Sequence, residues 1–412
     1  MIRDADTLRS AIAQAIENQP ILDVHTHVYD PAFGGLLLWN IDELMTYHYL
    51  IAETFRWIDM PYDAFFAMSK RQQADLVWQT IFIDRSPCSE ATLGVLTVMR
   101  KLGFDNAERD LNKVRAWFDA IKREDYIDRV FELSGVTRVI MTNDPFDPLE
   151  QPTWHTSFAR DPRFLAALRI DPLLVFWDKA VPVMNAQGYR VDADKPDFEE
   201  IKRFLRDWAV RMDAKYMAVS LSDDVYAEGS RADAIVRGCV VPVCMELDIP
   251  FAPMIGVRRQ INPGLRLAGD GVGQADLTML ESLCRDFPKA KFLTTLLSRE
   301  NQHSLTVMAR KFRNLHVFGC WWFLNNPTFV REMTSMRFEL LGLSHTPQHS
   351  DARVLDQLIY KWSHSKRIIT AVMQEKYQLM LDAGWPVTQE EIVRDVHMLF
   401  GGAFEAFLAR KL

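Results

Sequence analysis

Two histidines open the chemistry of this sequence. His25 and His27 end the apolar run ILDVHTHV, which starts at Ile21 between Pro20 and the Asp30-Pro31 turn and reads as a short buried strand. Side chains two apart on a strand point the same way, so both imidazoles can converge on one point, as ligands of a single metal ion do. A hydrogen-bonded pair of core histidines would be spelled the same way. Position favours the metal: the carboxyl end of a first barrel strand is where active sites of such folds gather.

Strands alternating with helices would bring such a pair to a common mouth. Strand-like runs recur at VTRVIMT near Val136, RFLAALRI near Arg163, KYMAVSL near Lys215, IPFAPMI near Ile249, KFLTTLL near Lys291 and LHVFGCWWF near Leu315, with helix-like segments between them. A polar run near Ser344, SHTPQHSDAR, contains Pro347 and has no strand periodicity of its own; it is counted as the eighth on the strength of the motif resemblance given below. Eight parallel strands alternating with helices predict an α/β fold, a (β/α)8 TIM barrel. From about Trp39 to Val130 apolar residues recur three and four apart, so 36–130 is expected to be a helical insertion after strand 1, within a single catalytic barrel spanning 1–412. Two closing helices are expected around Lys366 to Ala383 and Gln389 to Ala409, split by Gly384-Trp385-Pro386.

Composition narrows the partners. The chain has 412 residues, 48% hydrophobic and 25% charged, which suits one large folded unit and argues against long disordered tracts. Its charge is -7 and no Lys/Arg run forms a phosphate-binding stripe, so no nucleic acid partner is expected. The polar opening and the lack of 18 uninterrupted apolar residues predict a cytoplasmic protein with no membrane association. Cys88, Cys239, Cys244, Cys284 and Cys320 lack the paired spacing of a zinc knuckle or redox dithiol and read as reduced, mostly core residues.

Longer motifs extend the histidine pair. DVHTHV, NIDELMTYHYLIAETFR, VIMTNDPFDPLE with AALRID, GCWWFLNNP and HSDAR follow one another along the chain, and EEIVRDVHMLFGGAFEAFL ends it. In that order they resemble segments of the uronate isomerase (glucuronate isomerase) family of the amidohydrolase superfamily: D-x-H-x-H, a helix containing D-H-Y-K-W-R, T-T-D-D-P-x-D-x-L-E with F-R-P-D, G-x-W-W-F-N, and T-D-S-R. The resemblance runs nearly the whole length of the chain and implies a barrel of the metal-dependent hydrolase type.

It further implies one divalent metal held by His25, His27 and Asp351. Two imidazoles and a carboxylate with an open position suit zinc, and manganese or another first-row ion fits the same donors. The implied reaction is an aldose-ketose isomerisation of a small sugar acid, glucuronate to fructuronate or galacturonate to tagaturonate, with proton transfer between C1 and C2. A base must then remove a carbon-bound proton while something holds the enediolate charge.

The resemblance puts Tyr49 and Asp351 in proton transfer, His48 beside the substrate, Arg353 near the developing oxyanion and Arg169 on the far carboxylate, with Arg56, Trp321 and Trp322 also substrate-binding. Without it, Asp351 also reads as a helix cap, Tyr49 as the edge of an amphipathic helix, and Arg169 as the partner of Asp171. Trp321 and Trp322 alternate across a strand, so one lines a pocket and the other packs outward. Assembly into a homo-oligomer is compatible with the sequence and not specified by it.

Three positions depart from the family pattern. Met254 stands in place of a histidine, Asp224 in place of a second histidine, and His349 where the family is apolar. Two other readings compete: a metal-dependent hydrolase of the same superfamily, and an inactive binding relative that keeps the fold.

Overall fold

The computed structural model describes residues 1–224 and 226–412. Seven parallel strands form one sheet in chain order: β1 (Ile21–Thr26), β2 (Val136–Asn143), β3 (Phe164–Arg169), β4 (Met217–Leu221), β5 (Phe251–Ile255), β6 (Phe292–Leu296) and β7 (Leu315–Val317). Helices intervene between successive strands, giving the (β/α)8 TIM-barrel class. Their apolar faces meet the outer side of the sheet: Met217, Val219 and Leu221 of β4 belong to the large outer core. The inner side is a smaller cluster that takes Ile140 from β2, Ala167 from β3, Tyr216 and Ala218 from the β4 region, Ala252 and Met254 from β5, and Leu293 from β6. Alternation along each strand sorts residues between the two clusters.

The expected eighth strand is not a regular strand. Residues 346–352 close the ring with two backbone bonds on each side. Gly319 N–H donates to Thr346 O at 2.8 Å and Thr346 N–H to Val317 O at 3.1 Å, while Asp351 N–H reaches His25 O at 3.1 Å and His27 N–H reaches Ala352 O at 2.7 Å. Pro347 has no N–H to give a ladder, and Asp351 takes a left-handed φ of 54°, so the segment bridges both neighbours without running extended.

Between β1 and β2 the chain carries helices and, among the described residues, no strand. This stretch is tied down by polar contacts as well as apolar ones. The buried Arg115 lies between Asp42 (2.8 Å) and Asp75 (2.6 Å), and Tyr126 Oη donates to Asp356 at the head of the Gln357–Asp382 helix. That helix begins nine residues before the expected start at Lys366 and buries Leu358, Ile359, Trp362, Ile369 and Met373 along one face.

The last expected helix is broken. It runs Gln389–His397, then turns through Phe400 and Gly401 before Ala403–Ala409. Gly401 has φ 134°, and a Cβ there would stand 2.7 Å from the Leu22 Cβ, so close approach to β1 requires glycine. No helix among the described residues is long and apolar enough to cross a membrane.

Candidate metal centre

The inner face of the barrel is set by parity: 140 and 142 on β2, 167 and 169 on β3, 218 and 220 on β4. Leu22 and Val24 obey it on β1, which would leave His25 and His27 facing outward. The register of β1 against β2 shifts between Asp23 and Thr26. Beyond that irregularity the odd residues turn inward, and both histidines line the cavity at the strand ends.

Hydroxyl groups then fix which ring nitrogen faces the centre. Tyr216 Oη gives its one hydrogen to Val24 O at 2.9 Å, so toward His25 Nδ1, 3.1 Å away, it can only accept. Thr142 Oγ1 likewise donates to Thr26 O at 2.9 Å and faces His27 Nδ1 at 2.8 Å. Both imidazoles therefore carry hydrogen on Nδ1 and present a bare Nε2 inward, the form a metal ligand takes. Burial, aided by the positive charge of Arg353, lowers the His27 imidazole to about 3 and keeps it neutral near neutral pH.

Asp351 completes the cluster. Its Oδ1 lies 3.5 Å from Nε2 of His25 and 3.5 Å from Nε2 of His27, and it is buried without a hydrogen-bond partner. Three acceptors facing one another in a buried space repel unless a cation lies between them. The donor set of two imidazole nitrogens and a carboxylate, with ligand atoms all within 4.8 Å, fits one divalent ion. Among the described residues no other group of three or more such side chains converges.

Asp23 explains why Asp351 arrives here. It is fully buried on β1, accepts from the Ser350 N–H at 3.0 Å and from Trp362 Nε1 at 2.8 Å, and so pins the segment just before Asp351 to the strand carrying the histidines. Burial raises its carboxyl to about 6, against the pull of those donors.

The rest of the lining is cationic and aromatic: Arg169, Arg259, Arg353, His48, Trp321 and Trp322, with Asp171, Thr142, Ala218, Ser220 and Met254. Arg169 ends β3 and donates to the buried Asp171 at 2.8 Å, so the ion pair read from sequence is present and faces the cavity. Arg353 lines the cavity two residues beyond Asp351, and among the described residues no carboxylate pairs with it. His48, at the start of its helix, has a buried Nε2 without a partner, and burial plus Arg353 lowers its imidazole well below the usual value. The open space is about 20 Å³, enough for a water or two.

Tyr49 packs 4.8 Å from the His48 ring, stacks on Phe323 and abuts the inner cluster that holds Met254, Trp321 and Trp322. Arg56 is exposed in the turn after the Glu53-Thr54 helix end and does not reach the site. Both tryptophans line the cavity, because β7 stops at Val317 and Trp322, with φ 47°, begins a short turn of helix instead of continuing the strand alternation.

Of the three departures, Met254 lines the cavity, whereas Asp224 belongs to a separate surface cleft. His349 is fully buried 5.0 Å from the His25 ring, in space that a Cβ on Gly319 would fill, and stays outside the ligand cluster. Tyr216, Thr142 and Arg259 were not singled out from sequence. The strand-end parity points to Thr142 as inward-facing; nothing local marks the other two.

Neither a protein-family profile nor a curated protein sequence matches this chain. Solved structures do. A uronate isomerase from Bacillus halodurans C-125 is 51% identical, with a TM-score of 0.97 over 100% of this chain and 98% of that one. A uronate isomerase from Thermotoga maritima (TM-score 0.78, 16% identity, 99% of this chain and 100% of that one) and a glucuronate isomerase from Caulobacter crescentus (0.75, 15%, 99% and 95%) share the fold. At half identity along the full length, with the histidine pair and its distant carboxylate converging as the motifs implied, the chain belongs to the uronate isomerase family.

Proposed function

We propose that this protein is a metal-dependent aldose-ketose isomerase of hexuronates, converting glucuronate or galacturonate to the 2-keto acid. The observation that carries the reading is the meeting of two bare imidazole nitrogens and the orphaned Asp351 oxygen beneath three cavity-lining arginines. His25, His27 and Asp351 would hold one divalent ion, for which zinc is the best match to the donors and manganese the runner-up. When bound, such an ion polarises a sugar oxygen and stabilises negative charge beside it.

The conversion moves one proton from C2 to C1 and one from the C2 hydroxyl to the C1 oxygen. Asp351 is assigned the carbon-bound proton, taken from C2 and returned at C1. Arg353, next to it and free of any carboxylate partner among the described residues, offsets the charge that develops on the enediolate oxygens. His48 is neutral and its Nε2 has no partner, which suits it to hold a sugar hydroxyl and pass its proton. Arg169 takes the far carboxylate through the N–H groups that Asp171 leaves free. Burial lifts the Tyr49 hydroxyl well above its usual value, so it is a poor base; we assign it to bracing His48. Trp321 and Trp322 wall the sugar. The hydrolase alternative gains nothing from the cavity, where Met254 occupies the place a further histidine ligand would need.

The test is incubation of the zinc- or manganese-loaded protein with glucuronate and galacturonate in heavy water. A keto product, or deuterium at the exchanged carbon, is expected for at least one of them. Neither signal from protein carrying one equivalent of ion would overturn the assignment.

A further inference from the structure

Because the eighth position of the barrel is not a regular strand, side chains must hold the backbone around Asp351. Two consecutive peptides are each gripped at both ends. In the peptide between His349 and Ser350, the N–H donates to Asp23 at 3.0 Å and the carbonyl accepts from Asn325 Nδ2 at 3.0 Å. In the next, between Ser350 and Asp351, the N–H donates to His25 O at 3.1 Å and the carbonyl accepts from the same Nδ2 at 2.9 Å. The two hydrogens of one side-chain amide thus supply both carbonyl contacts. Asp351 leaves the second peptide with its left-handed φ of 54°, a conformation that its surroundings must impose.

A chain of bonds leaves the Asn325 amide one way to face. Cys320 N–H donates to Gln348 Oε1 at 3.2 Å, so Gln348 turns its Nε2 toward Asn325 Oδ1 (2.8 Å) and Ser365 Oγ (3.1 Å). Ser365 gives its own hydrogen to Lys361 O at 2.7 Å and can only accept from Gln348. With Oδ1 engaged, the Asn325 NH2 is left for the two carbonyls. Asn325, Gln348 and Ser365 are all buried, where an unmade hydrogen bond costs most.

The backbone of Asn325 is anchored as well. Its N–H donates to Trp322 O at 2.9 Å, closing the short Trp322–Leu324 turn that brings both tryptophans to the cavity. Its carbonyl accepts from the buried Lys361 at 3.1 Å, and the same ammonium donates to Glu90 at 2.6 Å. Glu90 opens the Glu90–Lys101 helix of the insertion, and Ser89 before it donates to Glu53 of the His48–Thr54 helix at 2.6 Å. Polar contacts therefore connect the helix that carries His48, through Lys361 and Asn325, to the backbone of Asp351.

We propose that Asn325 is a positioning residue for the isomerisation, setting the Asp351 carboxylate against the two imidazoles and the reacting carbon, with Lys361 fixing Asn325 in turn. This rests on the metal-dependent isomerase reading given above. Asn325 acts through the two peptides that precede Asp351. Releasing their carbonyls lets the left-handed turn relax and carries the carboxylate away from Nε2 of His25 and His27. A misplacement of about 1 Å at a reacting group costs about 10²-fold in rate.

The experiment measures zinc affinity of the metal-free protein against a competing chelator, and kcat and KM of the zinc-loaded protein for the uronate it turns over. Asn325→Ala is expected to weaken zinc at least fivefold and lower kcat at least tenfold, with KM within threefold of wild type. Asn325→Asp keeps the shape but has no hydrogens for the carbonyls, and should be at least as damaging. Lys361→Met releases the turn itself; it should lower kcat by a smaller factor and also raise KM, because Trp321 and Trp322 move with the turn. If the alanine variant does not fold, Asn325→Ser, with one hydrogen for two carbonyls, must show the same pattern at smaller size. The proposal is overturned if the folded variant keeps zinc affinity and kcat within twofold of wild type, however far its melting temperature falls, which is the signature of a merely structural role. It is overturned equally if KM rises as much as kcat falls. Should wild type turn over no uronate, the isomerase reading fails, and the zinc affinities still decide whether Asn325 sets Asp351.

Discussion

The two ends of the cavity are built differently. At the histidine end the groups are 3–17% exposed and aimed by the core: Tyr216 and Thr142 orient the imidazoles, Asp23 holds the Ser350-Asp351 segment, and backbone bonds join that segment to β1. At the arginine end Arg169 is 28% exposed and Arg259 39% exposed, and each is tied to an aspartate. The first construction fixes atoms to within the tolerance that chemistry needs, and the second leaves room for a ligand to settle. Changes at the first end should therefore act on turnover and metal, and changes at the second on substrate affinity.

The largest effect is expected for Asp351→Asn. Losing both a ligand and the proton-transfer carboxylate should lower kcat by about 10³-fold or more, in the range that separates an aligned base from none. Circular dichroism should be unchanged, and a rate within tenfold of wild type would remove the distinction between the two ends. Next come Thr142→Val and Tyr216→Phe, which free the imidazole tautomers without touching the ion. Zinc affinity, measured against a competing chelator, should drop by about 10- to 100-fold, as is usual when such supporting partners are lost.

Arg169→Met belongs to the other end. Loss of a charge-assisted pair should raise KM by about 10- to 100-fold and leave zinc affinity within twofold. An effect on kcat alone would mean that the far carboxylate is held elsewhere.

The smallest effect concerns acid stability of the metal-free protein. His27 has a folded value of about 3, below the 6.5 of an unfolded histidine, so its contribution is complete above 6.5. As pH falls from 6.5 toward 3 the unfolded chain gains a proton that the folded chain refuses, and stability drops. His27→Asn should flatten this slope by about 1–2 kcal/mol between pH 7 and pH 5, read from urea midpoints. An unchanged slope would mean that the imidazole is already charged in the folded protein.

Much of this was legible before the fold was known. The seven regular strands stand where alternating apolar runs predicted them, since burial on both faces forces such runs. The histidine pair was legible because its two-residue spacing is local. Other features depend on partners distant in sequence and leave no local signature. The irregular eighth position, the break at Gly401 against Leu22 and the placement of both tryptophans in the cavity follow from contacts across the barrel. Arg56 matched a motif and still points away, because a helix of seven residues carries His48 to the cavity and ends before Arg56 can follow.

The sequence by itself determined the chemical inventory: two imidazoles two residues apart, a late aspartate followed by an arginine, and enough alternating strands to enclose them. Tertiary structure alone decided how the inventory faces. A register shift in β1 turned the histidines inward, hydroxyls on β2 and just before β4 chose their tautomers, and a buried Asp23 fetched Asp351 from more than three hundred residues away. The physical reason is that hydrogen bonds and packing act through space. Residue type fixes what a side chain can donate, accept or ligate, and only the closed barrel fixes what stands opposite it.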